Sequence, residues 1–217
     1  MASQRLGIPA IAHEECLTGL AAYGATAFPT PLAWAATFDE ALVEQMARAI
    51  GEDMRAFGVH QGLAPVVDVV KDYRWGRVEE TLGEDPYLVA QLGAAYVAGL
   101  EGAGIIATLK HFAGYAASRG ARNHAPVRMG PRELADTVLP PFETAVRLGG
   151  ARSVMTSYAE LLGRILRRGS AWPPLSRARA TSPSSWSATS QGCSVTARRA
   201  KGATRLTCGC RAGSTTW

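Results

Sequence analysis

The chain has 217 residues, 47% of them hydrophobic, with 23 Lys and Arg against 18 Asp and Glu. That is enough apolar material for one core, or most of one, and it excludes a disordered or collagen-like chain. No apolar run reaches the roughly 18 residues that a membrane span needs. The start, Met1-Ala2-Ser3-Gln4-Arg5, runs directly into Leu6-Gly7-Ile8-Pro9 without a signal-peptide pattern, so a cytoplasmic protein is expected unless its true start is missing.

The charge is unevenly spread. All 18 acidic residues lie at or before Glu160, where 13 basic residues leave a net charge of −5; residues 161–217 carry ten Lys and Arg and no acid. A basic tail is a footprint of nucleic-acid or anionic-surface binding. This one lacks the interleaved aromatics and the helical period that such a binder uses, so neither a nucleic-acid nor a membrane partner is expected. Cys16 stands alone, and Cys193, Cys208 and Cys210 have no second pair at zinc spacing and no histidine in the tail. No metal site is expected from them.

Along the chain, residues 8–12 predict a short strand ending in His13-Glu14-Glu15. Thr37-Phe38-Asp39-Glu40 fits a capping box. Leu42, Val43, Met46, Ala47 and Ile50 then recur at helical spacing, which predicts a helix to about Phe57, closed by Gly58. Residues 63–70 form a second strand-like run, interrupted by Asp68. Asp85-Pro86 is an N-cap with proline at the first helical position; Leu88, Val89, Leu92, Tyr96 and Leu100 supply that helix's apolar face, and Gly102 and Gly104 stop it. Residues 105–109 predict a third strand ending in Lys110-His111. Pro131 opens another helix, which Pro140-Pro141 bends or splits. Residues 151–155 predict a fourth strand ending in Thr156-Ser157-Tyr158.

Alternation of strands and helices implies a parallel sheet, and the nearly all-apolar strands suit one covered on both faces. Four strand ends carry polar groups: Glu14 and Glu15, Asp68, Lys110 and His111, and Tyr158. In a parallel barrel such ends converge on one functional face. A doubly wound sheet also gathers ligands there, but no Gly-x-Gly-x-x-Gly follows any strand.

Taken in order, the motifs resemble the N-terminal barrel domain of family 3 glycoside hydrolases, the β-glucosidase and β-xylosidase family. They are Arg5-Leu6-Gly7-Ile8-Pro9, His13-Glu14-Glu15-Cys16-Leu17, Phe28-Pro29-Thr30-Pro31, Leu63-Ala64-Pro65-Val66-Val67-Asp68, Arg74-Trp75-Gly76-Arg77-Val78-Glu79-Glu80, Gly83-Glu84-Asp85-Pro86, Lys110-His111-Phe112 and Ser153-Val154-Met155-Thr156-Ser157-Tyr158. The resemblance covers residues 5–162. It implies an α/β fold, an incomplete parallel (β/α)8 TIM-type barrel over residues 1–162, followed by an irregular basic tail over residues 163–217. It also implies a β-linked glucoside or xyloside as substrate, hydrolysed from the chain end with retention and without metal or cofactor.

Sugars offer hydroxyls and an apolar ring face, and charged groups make strong hydrogen bonds to hydroxyls. By resemblance, Glu15 takes the place of an acidic residue on the hydroxyls of the bound sugar. Arg77, Lys110, His111 and Arg122 match the other hydroxyl-binding positions, and Tyr158 matches a tyrosine near the nucleophile. Read alone, Glu15 also fits a solvated loop carboxylate, and Arg77 a partner of Glu79, Glu80 or Glu84. Asp68 and Glu84 read as structural, capping loops or pairing with arginines. Trp75 fits packing under its loop as well as it fits sugar contact, and His60 and His124 are given no role. One branch of the family acts on N-acetylglucosaminides through an Asp-His pair in the loop after Lys-His. Here that loop reads Gly114-Tyr115-Ala116-Ala117, and Asn123-His124 lacks the Asp, which disfavours that branch.

Retaining glycosidases need two carboxyl groups about 5 Å apart. The family takes its nucleophile from an Asp on a later strand, and no acidic residue follows Glu160, so no catalytic residue is assigned. The abrupt compositional change after Leu162 suggests a shifted reading frame. Codons for Trp186-Ser187-Ala188-Thr189, read two bases later, accommodate Val-Ser-Asp or Val-Gly-Asp, close to the family's nucleophile strand. The barrel's first strand and helix are expected to precede Arg5, and the acid/base to come from a following domain. Three other readings stay open: a non-catalytic sugar-binding chain, a nucleic-acid binder acting through the tail, and an enzyme using Glu79 or Glu80 as nucleophile.

Overall fold

The structure is a computed structural model. It describes residues 9–161 with their side chains and, as backbone, the strand residues 164–165, 186–190, 193–200, 203–209 and 214–216. Strand β1 (His13–Glu14), helices α1 (Pro31–Ala35) and α2 (Glu40–Ala56), β2 (Gln61–Gly62), α3 (Pro86–Gly102) and β3 (Ile106–Phe112) come first. They are followed by α4 (Pro131–Glu133), α5 (Leu139–Arg147), β4 (Ser153–Thr156) and the short pair β5 (Glu160–Leu161) and β6 (Arg164–Ile165). Four more strands complete the chain: β7 (Trp186–Ser190), β8 (Cys193–Ala200), β9 (Ala203–Gly209) and β10 (Ser214–Thr216).

The main sheet runs β1-β2-β3-β4-β7-β8-β9-β10. Its first five strands are parallel and in chain order, the connectivity that successive strand–helix units generate. Among the described residues the sheet does not close on itself, and no helix is long and apolar enough to cross a membrane.

The helices form for the reasons the sequence predicts, with one shift. The cap of α2 is Asp39, whose side chain accepts from the Leu42 amide at 3.0 Å. Thr37 instead donates to the Trp34 carbonyl, so the capping box expected at Thr37 is corrected to a single Asp cap. Val43, Ala47, Ile50 and Met54 form the buried stripe of α2, and Gly58, at φ +78°, ends it. Asp85 caps α3 through the Leu88 amide at 2.7 Å, with Pro86 following. The helix opened by Pro131 is split as expected, by a π-helical turn over Leu134–Val138 before α5 restarts with proline in its first turn.

α3 packs on both α2 and α5. At Gly99 the approach to α2 is so close that a Cβ would lie 2.4 Å from the Glu44 carbonyl oxygen and 2.7 Å from the Ala47 side chain. Gly99→Ala is therefore expected to cost about 1–3 kcal/mol by forcing the helices apart, despite alanine's better helix propensity; chemical denaturation reads the sign.

β1, the 63–70 run and β4 are shorter than expected, while β3 extends beyond the expected 105–109 to Phe112. Residues 9–12 are exposed, and β1 begins only at His13, because no described strand covers its outer side. The run 63–70 is not a continuous strand. Pro65 has no N–H to give, and the ladder to β3 persists only through single bonds, such as Val67 N to the Lys110 carbonyl and Lys110 N to the Pro65 carbonyl. β3 is the central strand, buried along nearly its whole length, and it contains Lys110 and His111.

Within the stretch 163–217, expected to be irregular, the described residues are strands, and the rest lies outside the described residues. β7 adds parallel to β4, pairing Ser153 with Ser187 and Met155 with Thr189, and β8, β9 and β10 continue as an antiparallel meander. Short β-branched alternations such as Ser194-Val195-Thr196-Ala197 favour strands, although they are too brief to show a period. Within the expected non-regular stretch 182–186, Trp186 belongs to β7 and the rest lies outside the described residues.

Two cores result. The larger one lies between sheet and helices, around Val43, Ile50, Leu92, Leu100 and Leu109. The smaller one, around Trp75, Tyr115, Val127, Leu134 and Leu161, lies under the loops that follow β3 and β4.

Candidate sugar-binding site

Polar side chains converge where β1, the 63–70 segment and β3 end. Lys110, only 1% exposed, donates from Nζ to Glu15 Oε2 at 2.6 Å, while the Glu15 side chain stays 61% exposed. A buried ammonium thus presents its charge to solvent through a single carboxylate.

His111 is fixed on both sides. Asp68 Oδ2 accepts from the His111 backbone N–H at 2.9 Å and meets the ring Nδ1 at 2.8 Å; Arg77 Nη1 lies 2.9 Å from Nε2. A guanidinium can only donate, so Nε2 accepts and the ring hydrogen sits on Nδ1, aimed at Asp68. Asp68 therefore pairs with His111 and not with an arginine.

Arg77 in turn grips Glu80 with two hydrogen bonds, at 2.7 and 2.6 Å. Burial works against the Glu80 carboxylate, but the Arg77 hydrogen bonds and charge outweigh it and hold Glu80 below the usual glutamate range. The same pairing outweighs burial at Arg77, whose guanidinium holds its proton more tightly than usual. Because the folded state lowers the Glu80 pKa, the pair's stabilisation is complete above the ordinary value, about 4.3, and is lost as pH falls through the lowered one. The stability gap between wild type and Glu80→Gln is thus expected to be constant near neutrality and to close in acid. Thermal denaturation across pH measures it.

A cavity of about 410 Å³ opens beside these groups, lined by Glu15, Thr18, Thr30, Arg77, Glu79 and Glu80 among others. Its size falls within the roughly 300–1,000 Å³ of small-molecule sites. Cys16, adjacent to Glu15, offers no nucleophile: it is fully buried, and burial pushes its thiol up to about 12. Among the described residues, no group of three or more His, Cys, Asp or Glu is placed to hold a metal ion.

An aromatic wall continues from His111. Tyr115 meets His111 edge-on at 5.0 Å, Trp75 edge-on at 5.4 Å and Tyr158 edge-on at 6.2 Å, and Arg77 lies 6.0 Å from the centre of its ring. Trp75, 2% exposed, packs under this wall. The structure thus gathers Glu15, Arg77, Lys110 and His111 directly and reaches Tyr158 through Tyr115. Arg122 is exposed, its Nε meeting the Arg119 carbonyl at 3.5 Å, and it lies in the turn whose next residue, Asn123, accepts from the Tyr115 hydroxyl. Of the other residues here, Glu80 is the partner of Arg77 that the sequence offers as one of three, Asp68 reads there as structural, and Tyr115 is given no site role. An Asp inside the apolar run Val66-Val67-Asp68-Val69-Val70 was the available signal, since a buried carboxylate needs a donor.

A parallel sheet of successive strand–helix units with charged groups at its strand ends defines an α/β domain. Residues 1–181 match the Glycosyl hydrolase family 3 N terminal domain, and the chain belongs to that family. It is 41% identical over 176 residues to a β-xylosidase of Formosa agariphila, covering 75% of this chain and 24% of that protein. It is 36% identical over 155 residues to β-D-xylosidase 1 of Arabidopsis thaliana, covering 65% and 20%. Among solved structures, a β-glucosidase of Erythrobacter marinus superposes with a TM-score of 0.72 at 42% identity, covering 74% of this chain and 22% of the other. The Listeria innocua β-glucosidase mutant in complex with laminaribiose gives 0.70 at 36% identity, covering 74% and 23%. The chain spans about a quarter of the length of these relatives.

Proposed function

We propose that this chain forms the sugar-binding wall of a β-glycosidase, with β1 to β4 and β7 as consecutive strands of a (β/α)8 barrel and a β-linked glucoside or xyloside as substrate. The observation that carries this reading is the set of rigid pairs, Lys110–Glu15 and Asp68–His111–Arg77–Glu80, beside the cavity. Lys110 and Arg77 donate to sugar hydroxyls and Glu15 accepts from them. Asp68 and Glu80 fix His111 and Arg77, so little ordering is left to be done on binding. The names of the relatives, β-xylosidase and β-glucosidase, support the substrate class.

These groups bind and orient; they do not break the bond. Glu80 has both oxygens on Arg77, Asp68 is buried on His111, and Glu15 serves Lys110. Retaining hydrolysis needs two carboxyl groups about 5 Å apart flanking the scissile bond, and the family resemblance puts the nucleophile on a later Asp. The chain alone is therefore expected to bind methyl β-glucoside or methyl β-xyloside in a calorimetric titration without cleaving aryl β-glycosides. Cleavage abolished by Glu79→Gln or Glu80→Gln would overturn this division of labour.

The reading-frame proposal has its own test. β7 occupies the next parallel position after β4, the slot in which the family's nucleophile strand is proposed to lie. The coding DNA after residue 160, read in the other two frames, is expected to encode an Asp at the end of that strand. Open frames without one would remove the proposal.

A further inference from the structure

We infer that His124 is a positioning residue for Tyr158, so that the 122–124 turn sets the aromatic wall of the site. The inference rests on the sugar-binding reading for its functional consequence, though not for its geometry. The His124 and Tyr158 rings are stacked, 4.7 Å apart and 11° from parallel. Tyr158 also meets Tyr115 edge-on, and Tyr115 meets His111 edge-on. The residue before His124 acts on the same wall: Asn123 Oδ1 accepts from the Tyr115 hydroxyl at 2.8 Å. Two adjacent residues of one turn thus hold the two tyrosines that connect to His111.

The backbone fits this role. Tyr158 lies in a bend two residues beyond β4, past the last strand-end anchor, the Ser157 amide on the Phe112 carbonyl at 2.7 Å. Its ring is not placed by a ladder and depends on side-chain neighbours. His124 sits at φ +64°, in the left-handed region that residues with a Cβ avoid. Such a conformation persists where surrounding contacts over-determine it; here the exposed imidazole is spent on an offset stack, a favoured aromatic geometry. A stacked ring holds Tyr158 against Tyr115 and so fixes this end of the aromatic wall.

The test uses the full chain with ¹³C-labelled tyrosine, the Tyr158 ring signals being assigned with Tyr158→Phe. In wild type these signals are expected to carry an upfield ring-current shift. His124→Ala should abolish it, and His124→Phe, which keeps a planar ring, should restore it. Tyr158 signals unchanged in His124→Ala overturn the inference. Calorimetric titration with methyl β-glucoside and methyl β-xyloside reads the consequence: His124→Ala is expected to weaken binding about three- to tenfold, with His124→Phe near wild type. Unweakened binding in His124→Ala would remove the functional part of the inference. Wild type that binds neither sugar would defeat the sugar-binding reading, while the ring signals still decide whether His124 positions Tyr158.

Discussion

Lys110→Met is expected to leave the fold as stable as wild type, or more stable by up to about 2 kcal/mol, while sugar binding falls by about 2–4 kcal/mol, roughly 30- to 1,000-fold. The two halves come from one geometry. Lys110 is 1% exposed and its ammonium has Glu15 as its partner. Burying an ammonium is costly, and a single carboxylate with a 61% exposed side chain offsets little of that cost. Methionine fills nearly the same volume without charge, and the released Glu15 returns to water, so no buried charge is orphaned. A sugar hydroxyl that Lys110 served would lose a charge-assisted hydrogen bond. A residue kept for stability gives the opposite pattern. Thermal denaturation and calorimetry on the same preparation separate the two, and a large loss of stability in Lys110→Met with sugar binding retained would assign Lys110 to the core.

What the sequence made legible follows from how far apart the cooperating residues lie. α2 and α3 announce themselves because Val43, Ala47 and Ile50, or Val89, Leu92 and Tyr96, repeat within one helix, and because Asp85-Pro86 carries its own cap. The cap of α2 was harder, since Thr37 and Asp39 are both good capping types and only the backbone path decides which reaches the Leu42 amide. β1 and β2 are two residues each, too short for any period. At the site, Lys110 and His111 stood out as charged and polar groups directly after an apolar strand, and the structure extends that strand through them. Their partners did not: Glu15 is 95 residues from Lys110, and Asp68 is 43 residues from His111. No local pattern encodes such pairs; the parallel sheet creates them by bringing successive strand ends together. His124 gave no signal at all, because its role depends on a turn conformation and on a ring 34 positions away that approaches only once β4 has added to β3.

Asp68→Ala is expected to destabilise the fold by about 3–5 kcal/mol, lowering Tm by roughly 10 °C at the usual few degrees per kcal/mol for a domain of this size. Asp68 is 1% exposed, and one oxygen, Oδ2, takes both the His111 amide and the His111 ring. Removing the carboxylate leaves two buried donors without an acceptor on the central strand. The effect spreads: with Nδ1 unheld the imidazole is free to turn, Nε2 no longer faces Arg77, and Arg77 retains Glu80 alone. Asp68→Asn separates the contributions. Its amide oxygen has two lone pairs and can accept both hydrogens, while its NH₂ occupies the position of Oδ1, which has no partner in the structure. Stability should therefore stay within about 1–2 kcal/mol of wild type, the difference between a charged and a neutral acceptor. The gap between the alanine and asparagine variants measures how much of the site rests on the hydrogen-bond geometry of Asp68 rather than on its charge. Equal losses in both variants would show that the negative charge itself, acting on His111 and Arg77, is what holds this side of the cavity together.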